Sequence, residues 1–257
     1  MQFDTQKKVE AVWDAQRVSN RSKNNMNDND DSSDRGDLAP LPSRATRNIP
    51  KRSRASSRGA ILAHLPSDNH TRVIQYESKL EQRVLWLFLA NKDVVDIREQ
   101  PVPVFYTDHL GRRKSHVFDF WVQLRSGRRL AVAVKPAKHA LKRNFARELR
   151  HVRRSMRKTF ADDVVLITDQ DFQRGEAINA QRYCEFSWHR CRQTEIELRE
   201  LLASVELPAR ISALCDQLAK GGKGFRAVFL AIYDGLLVAD LTRPIGMDTL
   251  VTVGGAA

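Results

Sequence analysis

Three shortages in this sequence of 257 residues narrow what it encodes. Cysteine is scarce: Cys184, Cys191 and Cys215 are too few and too irregularly spaced for a disulfide framework, which fits a reducing compartment. No apolar run approaches the roughly 20 residues that a bilayer span needs. The N-terminus also lacks the apolar centre of a signal peptide. A cytoplasmic protein with no membrane partner is therefore expected. Acid is short as well, since 31 Asp and Glu against 43 Lys and Arg leave a net charge of +12 and a pI near 10.0. Such a balance favours a polyanionic partner, nucleic acid first, because Lys and Arg displace counterions from phosphates. A solvated basic surface is the alternative that charge alone leaves open.

Apolar side chains almost vanish between Ser19 and Arg35, so that stretch cannot offset its ordering entropy. Residues 1–66 are read as a basic, polar and mostly disordered tail. Within it Met1 to Val18 has the spacing of a short helix. Arg44, Arg47, Lys51, Arg52, Arg54 and Arg58 form a basic run that suits a phosphate backbone, a fold over the next domain or a solvated linker. From Thr71 the pattern changes. Leu80, Val84, Leu85, Leu87 and Phe88 predict an amphipathic helix over Glu77 to Leu89, with Ser78 near its N-cap and Asn91 at its end. Short strands follow at Val94 to Ile97 and Val102 to Tyr106. The prolines at 101 and 103 mark an edge, and Asp108 to Gly111 makes a turn. His116 to Lys138 reads as a β-hairpin turning at Ser126-Gly127, and Pro136 stops its second strand. A long cationic helix is expected from about His139 to Lys158, then a buried strand at Val164 to Thr168.

Helix, strands, helix, strand is the order of an α/β layered domain, taken as residues 67–185. Residues 186–257 form a second unit. Three helical patterns, Thr194 to Ser204, Pro208 to Ala219 and Phe225 to Tyr233, precede two strands at Leu236 to Leu241 and Thr249 to Val253. That set resembles a winged helix-turn-helix, an α+β module that binds DNA or docks proteins.

The hairpin carries two polar interruptions, Asp119 and Lys135. Side chains alternate along a strand, so Ala131, Ala133 and Lys135 share one face. An acid inside an aromatic strand is costly unless paired or metal-bound. Metal-dependent phosphodiester hydrolysis needs carboxylates to hold the ion and a cation beside the developing charge. Asp119, Lys135 and Glu81 from the preceding helix supply such a set. In a chain that is 29% charged, that order alone also arises by chance.

The residues around the set carry more. Glu77-Ser-Lys-Leu-Glu81, Asp96-Ile-Arg-Glu-Gln-Pro101, Phe118-Asp-Phe-Trp-Val122, Ala133-Val-Lys-Pro-Ala137 and Ile167-Thr-Asp169 resemble, in order and spacing, the TnsA endonuclease of Tn7-like transposons. The likeness covers about residues 70 to 185. Arg47-Asn-Ile-Pro50 and Ser56-Ser-Arg-Gly59 look like the segment that often precedes the domain, and the C-terminal part matches only in outline. The resemblance implies a restriction-endonuclease-like core that uses Mg²⁺, or Mn²⁺ in its place, to cut the 5′ ends of a transposon. It also implies DNA at the transposon ends, a DDE-type transposase and an AAA+ regulator as partners. By the same likeness Asp119 and Glu81 would hold the metal, Lys135 would be the catalytic lysine, and the main-chain carbonyl of Val134 would be a further ligand. Ala133 departs from the family, which places Glu or Gln there. That departure is what distinguishes one alternative, a catalytically silent relative serving as a DNA-binding and docking scaffold; a second, a nucleic-acid-binding regulator acting through the winged-helix-like unit, turns on whether that unit's second helix binds DNA. Glu148, on the cationic helix, is the candidate for a relocated carboxylate, against a surface ion pair.

Other residues read as structural. Glu77 reads as helix-surface charge, and Lys135 has the alternative of snorkelling from a strand end. Cys184, His189 and Cys191 lack a fourth ligand at zinc spacing. His109 and His116 have no nucleophile partner visible in sequence. Lys142, Arg143, the arginines between 150 and 157 and Lys158 suit phosphate contact or a solvated helix face equally.

Overall fold

A computed structural model describes residues 39–46 and 57–255. The helix expected over Met1 to Val18 and most of the basic run lie outside the described residues. Those described divide into two compact units, 39–171 and 172–255.

The first unit is an α/β core built on a mixed sheet. Its strands β3 (Val94–Glu99), β6 (Phe120–Leu124), β7 (Arg129–Val134) and β8 (Asp163–Ile167) are four neighbours in the order β3-β6-β7-β8. The first two pairings are antiparallel and β7–β8 is parallel, with Val134 opposite Ile167. Gly127, at φ +83°, closes the β6–β7 turn where the sequence placed it. A parallel pair needs a crossover, supplied here by α2 (Ala137–Lys142) and α3 (Phe145–Ser155). One continuous helix was expected over this stretch. The chain instead breaks at Asn144, which takes left-handed backbone (φ 45°, ψ 45°), a conformation asparagine tolerates better than most residues. The break lets α3 place Phe145, Leu149 and Val152 on the sheet at helical spacing, while Arg147, Arg153 and Arg154 stay in water. Under this stripe lie Phe118, Trp121, Ala131, Ala133, Val164 and Leu166.

On the opposite face α1 (Lys79–Ala90) buries Val84, Leu85 and Phe88, and Phe88 meets Phe120 edge-on at 6.2 Å. Ser78 caps it and Asn91 ends it, as expected. A second hairpin, β4 (Val104–Thr107) with β5 (Arg113–His116), turns its Val104 and Tyr106 onto the α3 cluster.

Part of the stretch read as tail is ordered structure. β1 (Gly59–Ala63) pairs with β2 (Arg72–Tyr76), and Leu41 joins the second strand through its N–H to Thr71 O at 2.8 Å. Arg44 bonds Asp68 at 2.6 Å and Asp96 at 2.5 Å, and Ser43 donates to the fully buried Glu99. These acids lie far downstream of the segment they hold, so composition alone gives no sign of the pairing.

The second unit is α+β. It contains α4 (Arg174–Ser187), α5 (Arg192–Leu202), α6 (Ile211–Leu218) and α7 (Gly222–Asp234) around a small sheet β10-β11-β9, formed by Leu237–Val238, Leu250–Val253 and Ala209–Arg210. The expected strand over Leu236 to Leu241 is only its first part, and the helix expected from Pro208 starts at Ile211. α4 was not anticipated. Its buried Asn179 donates to Leu241 O and Arg243 O and accepts from the Ile245 N–H.

Candidate active site

Asp119 stands in the bend immediately before β6. Phe118 and Trp121 both enter the α3-side core. Unbroken alternation would put residues three apart on opposite faces, so the strand must interrupt its pleat between them. The interruption falls at Asp119 and turns its carboxylate toward the end of β7. Its N–H donates to Val132 O at 3.0 Å, and its own carbonyl accepts the Gln100 N–H at 3.0 Å. Its Oδ2 accepts the Val134 N–H at 2.7 Å. In an extended strand a residue's N–H and C=O point to the same side. The Val134 carbonyl therefore faces the Asp119 edge too.

Lys135 follows at the end of β7. Its N–H bonds Ile167 O at 3.0 Å, and two residues on the Ala137 N–H donates to Asp169 Oδ1 at 2.7 Å. The parallel neighbour β8 thus grips the chain on both sides of Pro136 and fixes where Lys135 leaves the strand. The lysine Nζ stands 6.0 Å from the centre of the Phe145 ring.

Glu81 comes from the first turn of α1. Its N–H donates to Ser78 Oγ at 3.1 Å, while its Oε1 and Oε2 accept from Ser78 Oγ at 2.8 Å and the Glu77 N–H at 2.7 Å. Glu81 is therefore a capping residue by geometry. It nonetheless reaches Asp119 electrostatically. The Asp119 carboxyl is raised to about 7, chiefly by burial; Lys135 and the Val134 N–H pull it down, and Glu81 and Glu77 add to the rise. The structure thus brings Asp119, Glu81 and Lys135 into one electrostatic group, with Glu77 at its margin.

Other candidates fall elsewhere. Ala133 is wholly buried in the apolar cluster beneath α3 and offers no oxygen. Glu148 accepts the Tyr106 hydroxyl at 2.6 Å, so its carboxylate is engaged by the β4 strand. Burial and that bond raise the Tyr106 phenol. His109 contacts Arg147 at 3.2 Å. Both Glu81 oxygens are held by Ser78 Oγ and the Glu77 N–H, so Glu81 acts on Asp119 through its charge. Among the described residues no three His, Cys, Asp or Glu side chains gather as a metal cluster.

Sequence reasoning gave His116 no partner, yet the structure sets it close to the group. Its ring meets Phe118 at 4.7 Å and Phe145 at 5.7 Å, and its Nε2 is buried with no hydrogen-bond partner among the described residues. Burial pushes the imidazole down to about 4, Glu148 opposes that and Lys135 adds to it. Asp169 was likewise seen only as part of a motif. Its role as the N–H acceptor at the start of α2 depends on the parallel register.

Residues 91–185 match the family model for the TnsA-like endonuclease N-terminal domain. The match includes Asp119, Val134 and Lys135 and begins after Glu81. No curated protein matches the chain.

Proposed function

We propose that this chain, whose residues 91–185 belong to the TnsA-like endonuclease family, is the DNA-cutting subunit of a Tn7-like heteromeric transposase. It would hydrolyse a phosphodiester at the 5′ ends of the element. A DDE-type transposase acting on the 3′ ends and an AAA+ regulator are the partners this reading implies. The first unit is read as a restriction-endonuclease-like core, and the second as a winged-helix-like module.

The observation that carries the reading is Asp119. Its carboxylate is oriented by a strand N–H, desolvated, and crowded by Glu81, so that ionising it is unfavourable unless positive charge arrives. A hard divalent cation answers that need. Mg²⁺ typically binds through one or two carboxylates and completes its shell with waters and substrate phosphates. Asp119 and the Val134 carbonyl, with the charge of Glu81 beside them, fit that habit, for Mg²⁺ or for Mn²⁺ in its place. Bound there, the ion would supply Lewis-acid charge at the phosphoryl oxygens. Asp119 then orients by its fixed Oδ2, and Lys135 places a positive group beside the phosphate, where charge grows as water attacks in line with the leaving oxygen. β8 limits the freedom of Lys135 by holding the backbone on either side of it.

Ala133 favours a second reading. A side chain without oxygen, sealed in an apolar cluster, leaves the site one side-chain oxygen donor poorer than the family pattern of Glu or Gln and suits a silent scaffold that binds DNA and docks the transposase. A nicking assay on plasmid carrying transposon ends, with Mg²⁺ or Mn²⁺ and the partner transposase, separates the two. Cutting by wild type supports the nuclease. Silence in wild type with cutting by Ala133→Glu establishes the scaffold.

A further inference from the structure

The β4–β5 hairpin has an outward face that the proposed chemistry does not use. Val104 and Tyr106 point inward, so Phe105 and Thr107 point out, paired across the ribbon with Ser115 and Arg113. Phe105 is 74% exposed, and Leu110 at the tip is 61% exposed. The Phe105 ring is thus left in water while Val104 and Tyr106 on either side of it are buried.

Charge identifies a partner for this face. Residues 104–116 contain a single acid, Asp108, against Arg112, Arg113 and Lys114. Asp108 is already committed: Arg112 and Lys114 bind its Oδ2 at 3.0 and 3.1 Å, and it accepts the Leu110 and Arg112 N–H groups. Arg113, on the same outward face as Phe105, makes no ion pair among the described residues. Arg147 adds another exposed cation beside the turn, through His109. The hairpin is also rooted at the site. β5 ends three residues before Asp119, and β4 begins four residues after Gln100, whose N–H binds the Asp119 carbonyl.

We infer that the outer face of this ribbon binds the DNA flanking the scissile phosphate, with the Phe105 ring against a base or sugar face and Arg113 on a backbone phosphate. The inference rests on the DNA-cutting reading for its choice of partner. A two-stranded ribbon fits a DNA groove, apolar side chains are used as wedges at base steps, and guanidinium groups hold phosphates.

The two contacts differ in their response to salt, which provides the test. Binding of the full chain to a fluorescently labelled duplex is measured by anisotropy over a range of salt concentrations, without divalent ions so that nothing is cut. Phe105→Ala should weaken binding by roughly 5- to 150-fold with an unchanged salt slope, the loss expected for one stacked contact. Phe105→Trp should bind like wild type. Arg113→Gln should flatten the log–log salt slope by about 0.9, one phosphate contact. Wild-type affinity and slope in both Phe105→Ala and Arg113→Gln overturn the inference. So does a Phe105→Ala variant that keeps DNA affinity and loses only the transposase, since the ribbon is then a protein-docking face. A chain that binds DNA through Phe105 yet never cuts refutes the nuclease reading alone; one that cuts with the ribbon contacts dispensable refutes only this inference.

Discussion

Asp119 is the residue on which the proposed chemistry turns, and its titration offers a direct probe. Its folded carboxyl is pushed up to about 7 from an ordinary 3.8. The folded state therefore binds the proton more tightly than the unfolded chain. The associated stability is fully present below about pH 4 and is lost as the pH rises through about 7. Asp119→Asn has no proton to lose. In urea titrations without divalent metal, the variant should gain on wild type steadily between pH 4 and 8. Parallel pH profiles would mean that the carboxylate is not desolvated as described. The pair Asp119 and Lys135 was legible in the sequence because an acid and a base stood out in β-rich runs. His116 was not, since its surroundings come from three separate elements: the β5 end, the bend before β6 and α3.

At the scale of elements, α1 has two tasks at one residue. Glu81 closes the capping geometry with Ser78 and also charges the site. Glu81→Gln keeps a side chain able to serve the cap and removes the charge, whereas Glu81→Ala removes both. Glu81→Gln should therefore stay within about 0.5 kcal/mol of wild type, while Glu81→Ala should cost about 1–2 kcal/mol, typical of a lost cap. Both should lose nicking. Full cutting by Glu81→Gln would assign Glu81 to the helix alone. The existence of α1 was readable because its apolar spacing and its cap agree. The split between α2 and α3 was not, because Lys142-Arg143-Asn144 is polar in either conformation and tertiary packing of Phe145 decides. β1 and β2 escaped notice for a similar reason: the Arg44–Asp68 pairing that secures the segment joins residues 24 apart in sequence.

For the molecule as a whole, the boundary between units matters to any truncation. Sequence patterning put the end of the first domain at 185, whereas the compact units divide after Asp171. α4 packs with the second unit: Tyr183 stacks on Tyr233 at 4.4 Å and Phe186 meets Phe229 at 5.2 Å. A chain ending at 185 would keep most of α4 and strip Tyr183 of its partner Tyr233, so it should aggregate in size-exclusion chromatography where one ending at 171 runs as a monodisperse species. Equal behaviour of the two would place α4 with the first unit instead. The mixed order of helices and strands made the α/β class legible. The unit boundary was not, because the ring contacts that bind α4 come from Phe229 and Tyr233, more than a helix and a strand further along the chain.

If Asp119 anchors a phosphodiester-cutting site, cutting depends on its carboxylate. The most direct test is the nicking of transposon-end plasmid by the full chain with Mg²⁺ and its transposase, wild type beside Asp119→Ala. Nicks at the 5′ ends that vanish in Asp119→Ala are the predicted result. Equal cutting by both proteins would contradict it.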